Sequence, residues 1–307
     1  MKLGIVIPWF GRELKGGAEQ QAWQVAARLA ARGHHVEVLT TCCRSHQDDW
    51  STNHLPAGVT SEPEGFLIRR FPVEARDRAA FDRVCGKLQA IPRSELKRGI
   101  PAVSREEAAV FVRELIRSAA LLHFVAQNAT EFSRLIFLPY LYSPVIDGVE
   151  VLGKRAALQP CLHDESYAYI PQVKEAFAAA GTLLFNSAGE MNLAAKLFGP
   201  AILSKSHLIG EGVEHVAPTP AGDSRVPFER FVVYLGRKET GKNTDLLLRA
   251  FHAFRRSRPN SDLRLVFAGH GTIETEGDTG AIDLGLIDEA TKAALLRNCK
   301  ALLQPSE

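Results

Sequence analysis

Short apolar runs alternate with stretches of helical period along most of this chain. Residues 2–8 form a compact apolar run that reads as a buried strand. After a loop over 9–15, Gly16-Gly17-Ala18-Glu19 opens a helix to about Ala31, with Ala22, Val25, Ala26, Leu29 and Ala30 recurring along one face. Gly33 ends that helix, and 35–41 is a second strand. This strand–loop–helix–strand start is the doubly wound pattern. Residues 44–64 are polar and read as loop, and 65–73 as a strand ended by Pro72. Residues 74–104 lack clear periodicity and are expected to form an irregular insertion or short helices, the kind of surface element that shapes a substrate entrance. Ser104 with Glu106 and Glu107 marks a helix start. That helix is expected to run to roughly Gln127 along Val110, Phe111, Leu115, Ala119, Leu122 and Phe124.

Strands over 135–138, 156–162 and 182–185 follow, then a helix through Leu197 and a short strand over 207–210. The Pro- and Gly-bearing run 218–227 reads as a linker. Beyond it, 231–235 is a β-branched and aromatic strand closed by Gly236, and Leu246, Leu247, Ala250, Phe251 and Phe254 recur at helical spacing. Residues 263–268, 281–287 and 301–304 read as further strands, and Asp288 and Glu289 start a short helix. The pattern predicts an α/β chain with one domain over 1–217 and another over 228–307.

Composition removes several classes of function. A net charge of +2 over 307 residues gives no broad basic field, so nucleic acid is not an expected partner. No apolar run approaches the ~20 residues a membrane span needs. The first residues have too short an apolar core for a signal peptide. Cys42, Cys43, Cys85, Cys161 and Cys299 are odd in number and lack metal-like spacing, so they read as reduced thiols of a cytosolic protein. The ten histidines are scattered, and no metal is expected.

The chemistry concentrates at a few turns. Arg237 and Lys242 lie between a strand and a helix start, where free N–H groups and the helix dipole favour an anion. A planar guanidinium with a mobile ammonium suits a diphosphate; the bland reading is two solvated surface cations. Gly16 and Gly17 would let a ligand approach the backbone closely, although glycine also serves turns. No G-x-G-x-x-G is present, which argues against a dinucleotide cofactor. His163, Asp164 and Glu165 follow a strand, where ligands bind in open α/β sheets. Either Asp164 simply caps the next helix, or His163 contacts substrate. Ser187 lacks the G-x-S-x-G of a nucleophile elbow and reads with Glu190 as a capping box.

The spacing G-R-x-x-x-x-K after a strand resembles the donor-diphosphate motif of the family 4 glycosyltransferases. Other pieces occur in that family's order: Gly16-Gly17-Ala18-Glu19, the segment holding His163, Asn186-Ser187-Ala188-Gly189-Glu190, Gly210-Glu211-Gly212, Gly269-His270-Gly271 and the closing Gln304-Pro305-Ser306-Glu307. The resemblance implies a GT-B fold: two facing Rossmann-like doubly wound domains, here with the C-terminal one incomplete. It implies that Arg237 and Lys242 bind the diphosphate of a nucleotide sugar and stabilise charge on the departing nucleotide. His163 would touch the transferred sugar, Gly16 and Gly17 would present N–H groups, and Gly285 and Leu286 would pack the base.

The implied reaction moves a hexosyl group to a glycan or lipid-linked acceptor with retention, without a cofactor or metal. It serves polysaccharide or glycolipid assembly in the cytoplasm, with peripheral contact at the inner membrane face as one option. In the family, P-S-x-x-E leads into an E-x7-E pair of glutamates. Glu307 falls before both, so a fragment with an unfinished sheet edge is expected, its turnover open to test. The alternatives are a non-catalytic nucleotide-sugar-binding module, a GT-B nucleotide-sugar epimerase, and a purely structural role.

Overall fold

Strands buried on both faces read as unbroken apolar runs, and in this chain they organise one mostly parallel and one parallel sheet. The computed structural model describes residues 1–14, 16–212, 229–238, 242–273 and 280–305. It divides into two units, Met1–Gly212 and Val213–Glu307. The expected linker over 218–227, and Ser306 and Glu307, lie outside the described residues.

The first unit opens with β1 (Lys2–Val6), α1 (Gly17–Ala31), β2 (His35–Thr41), β3 (Gly58–Ser61) and β4 (Leu67–Phe71). It continues through α2 (Arg78–Ala90), α3 (Arg105–Arg113), α4 (Ala119–Asn128), β5 (Arg134–Phe137), α5 (Ser143–Leu152) and β6 (Ala156–Leu158). The elements α6 (Pro171–Ala179), β7 (Thr182–Phe185), α7 (Ala188–Phe198) and β8 (Ser206–Leu208) complete it. The sheet order is β3-β4-β2-β1-β5-β6-β7-β8, and β3 alone pairs antiparallel. Alternation along β1 splits the core in two. Ile5 and Ile7 pack with Ala22 and Ala26 of α1, while Val6 joins the larger cluster with Leu135, Phe137 and Leu158.

The second unit holds β9 (Phe231–Leu235), α8 (Thr244–Ser257), β10 (Arg264–Ala268), β11 (Ala281–Asp283), α9 (Glu289–Asn298) and β12 (Ala301–Leu302). Its sheet is parallel, in the order β11-β10-β9-β12. Phe231, Val233 and Val266 pack with Leu295 of α9; Tyr234, Leu265 and Phe267 pack with Phe251 of α8 on the opposite face. Among the described residues β12 pairs with β9 alone, and its Leu302 is 46% exposed.

The doubly wound α/β architecture is the expected one, but several elements differ from the sequence reading. The helix expected from Ser104 to Gln127 is two helices. Ser104 and Glu107 form a reciprocal capping box at the first. At the second start, Ser118 accepts from Leu121 N at 3.2 Å and donates to Pro72 O at 2.7 Å. A side chain bonded across to another segment and to its own N-terminus ends one helix and begins the next. The buried stripe of α4 is therefore Leu121 and Val125, not Leu122 and Phe124. The polar run 44–64 contains β3, an exposed edge strand whose polar residues hide its period. The segment read as aperiodic contains the 13-residue α2, with Ala80, Phe81, Val84 and Leu88 buried and Asp77 capping it. α5, which no expectation named, is buried along most of its length.

Candidate active site

In a parallel sheet all carboxyl ends lie along one edge, so the loops after β1, β6 and β7 gather there. Gly16 is the N-cap of α1. The Glu19 carboxylate folds back over it, and a Cβ on Gly16 would stand 2.0 Å from Glu19 Oε2. Glu19 Oε1 also accepts from Trp9 Nε1 at 2.5 Å. A side chain at 16 would have to displace this carboxylate, which sits where the dipole of α1 favours negative charge. Gly17 is exposed, and a Cβ there would meet open space.

His163 is exposed on the turn after β6. The backbone reaching it passes through Cys161 at φ 53, a left-handed conformation uncommon outside glycine. Glu190 holds this turn from below, its Oε1 accepting from Leu162 N and its Oε2 from Asn186 N, both at 2.8 Å. Burial pushes the Glu190 carboxyl above its usual range, against the opposing pull of those N–H groups and the nearby His163. Ser187 caps α7 by accepting from Glu190 N at 3.1 Å. The expected capping box is half present, because the Glu190 carboxylate spans two loops instead of returning to Ser187. Asp164 caps no helix: it accepts from Tyr169 Oη at 2.7 Å and from Arg93 at 3.2 Å. Glu165 accepts from Tyr140 Oη at 2.7 Å.

In the second unit, Arg237 follows Gly236 at the carboxyl end of β9 and is exposed, its carbonyl accepting from Tyr234 Oη at 2.7 Å. Lys242 is half-buried and stands two residues before α8. Asn243 between them is left-handed at φ 53 and gives α8 no side-chain cap; its Nδ2 donates instead to Pro305 O at 3.0 Å. The strand order reverses between β9 and β12, so these residues occupy the switch point of this sheet, the crevice where ligands of such folds bind. The strand expected over 281–287 stops at Asp283, leaving Gly285 (φ 64) and the 72% exposed Leu286 on a turn after β11. They share the carboxyl edge with Arg237, two strands away.

The sequence reading passed over Lys238 as a spacer. Its side chain has no exposed surface, and Nζ donates to Asp283 Oδ1 at 2.5 Å. Asp283 Oδ1 also accepts from Gly285 N at 2.8 Å and Oδ2 from Ile273 N at 3.2 Å. Burial raises the Asp283 carboxyl, but Lys238 and the two N–H groups outweigh it and hold it below the usual carboxylate range. A buried ion pair thus ties the Arg237 turn to the Gly285 turn. The only hint in the sequence was an acid ending an apolar strand.

No protein-family model and no curated protein matches the sequence. Solved structures do match nearly all of it. The structure of "Trehalose-6-phosphate from E. coli bound with UDP-2-fluoro glucose" is 11% identical, with a TM-score of 0.61 over 99% of this chain and 78% of that one. The chain has the GT-B fold. The trehalose 6-phosphate synthase of Burkholderia multivorans is 12% identical, with a TM-score of 0.60 over 98% of this chain and 77% of that one. WaaG, a glycosyltransferase involved in lipopolysaccharide biosynthesis, is 12% identical, with a TM-score of 0.54 over 99% and 75%. At these identities the GT-B fold is what is shared. Among the described residues no helix is long and apolar enough to cross a membrane. None of them form a group of three or more His, Cys, Asp or Glu suited to a metal ion.

Proposed function

We propose that this chain binds a nucleotide-diphosphate sugar and transfers its hexosyl group, with retention, to a glycan or lipid-linked acceptor. One observation carries the reading: Arg237 directly follows Gly236 at the end of β9 and Lys242 stands just before α8, at the switch point of the second sheet. Two cations beside the uncapped end of a helix offer charge and N–H donors to a diphosphate, so no metal is needed to offset the charge on a departing nucleotide. Gly285 and Leu286 are assigned to the base, whose flat face suits an exposed apolar side chain on a turn. In the first unit His163 is assigned to the sugar, and the N–H groups at Gly16 and Gly17 to its oxygens. The neighbours support the choice of ligand, since one carries a UDP-sugar analogue and a Burkholderia xenovorans synthase carries glucose-6-phosphate. Polysaccharide or glycolipid assembly in the cytoplasm, including at the inner membrane face, is the setting this reading implies.

Calorimetric titration with UDP, GDP and ADP tests the donor site, and turnover of a labelled nucleotide sugar tests the reaction. Binding without turnover would favour the non-catalytic module, and epimerised donor without acceptor would favour the epimerase. A chain that binds none of the diphosphates would sink the proposal.

A further inference from the structure

The donor reading leaves unused a group of amide side chains at the carboxyl ends of β6 and β7. Asn186 stands at its centre. Its Oδ1 accepts from Gln21 Nε2 at 2.8 Å and from Gln159 Nε2 at 3.0 Å. Its Nδ2 donates to Gln21 Oε1 at 3.3 Å and to Cys161 Sγ at 3.6 Å. Its backbone N donates to Glu190, whose other oxygen takes Leu162 N. One residue therefore joins α1, the turn after β6 and the start of α7. Gln159 is buried at 3% exposure, and Cys161 is held at φ 53. A non-glycine residue stays in that region only where its surroundings over-determine it. Asn186 and Gln21 supply that constraint at the Cys161 sulfur.

What the clasp joins is specific. Gln21 lies in the first turns of the helix that Gly16 and Gly17 begin, and Leu162 directly precedes His163. We propose that Asn186 is a positioning residue, which locks the Gly16–Gly17 turn and the His163 turn into one geometry. Its functional consequence rests on the glycosyltransfer reading above. Only an amide fits the place, because the carbonyl oxygen serves two donors while the NH₂ serves Gln21 and the thiol. Aspartate would face Gln21 Oε1 with a second acceptor, and alanine would leave the Gln159 amide unpartnered in a buried site.

Amide hydrogen exchange on the full chain tests the coupling. Asn186→Ala is compared with wild type and with Ser118→Ala, which loses a helix cap elsewhere in the same unit. The expected result is exchange at least ten times faster in both 16–22 and 161–166, with β1 and β2 unchanged and neither turn selectively affected by Ser118→Ala. Gln21→Ala, at a half-buried position, should give the same paired response and serves if Asn186→Ala does not fold. A uniform rise, a rise in one turn only, or no change overturns the proposal. With UDP-glucose as donor, kcat should fall at least tenfold with donor KM within twofold; unchanged kcat in a variant whose two turns have loosened also overturns it. A wild-type chain that binds none of UDP, GDP and ADP and turns over no nucleotide sugar refutes the glycosyltransfer reading, while the exchange result still decides the coupling.

Discussion

Replacing Asp283 by leucine should destabilise the second unit selectively. In the native protein Lys238 Nζ is fully covered and bonded to Asp283, whose side chain is 18% exposed. Removing the carboxylate strands a buried ammonium and leaves the N–H groups of Gly285 and Ile273 without their acceptor. Breaking a buried pair in this way costs about 3–5 kcal/mol. The position of Asp283 at the sheet edge, where water can reach in, places the expected loss near 3. Lys238→Met should cost less, about 1–3 kcal/mol, because Asp283 keeps both backbone donors and some contact with solvent.

The three tryptophans, Trp9, Trp23 and Trp50, all lie in the first unit. Urea unfolding followed by tryptophan fluorescence therefore reports that unit, while far-ultraviolet circular dichroism reports both. The dichroism transition should split or move to lower urea in Asp283→Leu, with the fluorescence transition unmoved. The pH dependence has a definite sign. Asp283 titrates lower in the folded than in the unfolded chain. Its contribution is present above the ordinary aspartate value of about 3.9 and fades as pH falls through the folded value. Asp283→Asn should remove that acid-side slope. A fluorescence transition that shifts as far as the dichroism one, or a loss under about 1 kcal/mol, refutes the reasoning.

Lys242→Ala should weaken UDP binding by about 1–3 kcal/mol in calorimetry, the range for one lost charged hydrogen bond, and unchanged affinity would remove it from the site. Burial, with Glu190 and Glu211 adding to it, pushes the Cys161 thiol up to about 12, so it should resist iodoacetamide at pH 8 in the native protein. Alkylation of Cys161 as fast as in the urea-unfolded chain would show that this environment is misjudged. Ser118→Ala removes the cap on α4 and its bond to Pro72 O, and should lower stability by about 1–2 kcal/mol in the fluorescence transition.

The strands were the most legible part of this chain. Residues 35–41, 182–185 and 231–235 were predicted to the residue, because a strand buried on both faces is built mostly from a short run of apolar and β-branched side chains, with the buried Glu37 of 35–41 as the exception. The same logic exposed the turns: Gly16, Gly17, His163, Arg237 and Lys242 all follow such runs, and parallel pairing then sends those turns to one edge of each sheet. Residues whose role depends on a distant partner were not legible. Lys238 reads as one more surface cation until β11 brings Asp283 to it across 45 positions. Asn186 reads as a loop residue until α1 and β6 bring it Gln21 and Gln159. The break before Ser118 depended on Pro72, and the edge strand β3 on a partner its own polar residues do not announce. Period and burial are properties of a segment and are written in it. A hydrogen bond between side chains far apart in sequence is decided only when the fold closes the distance.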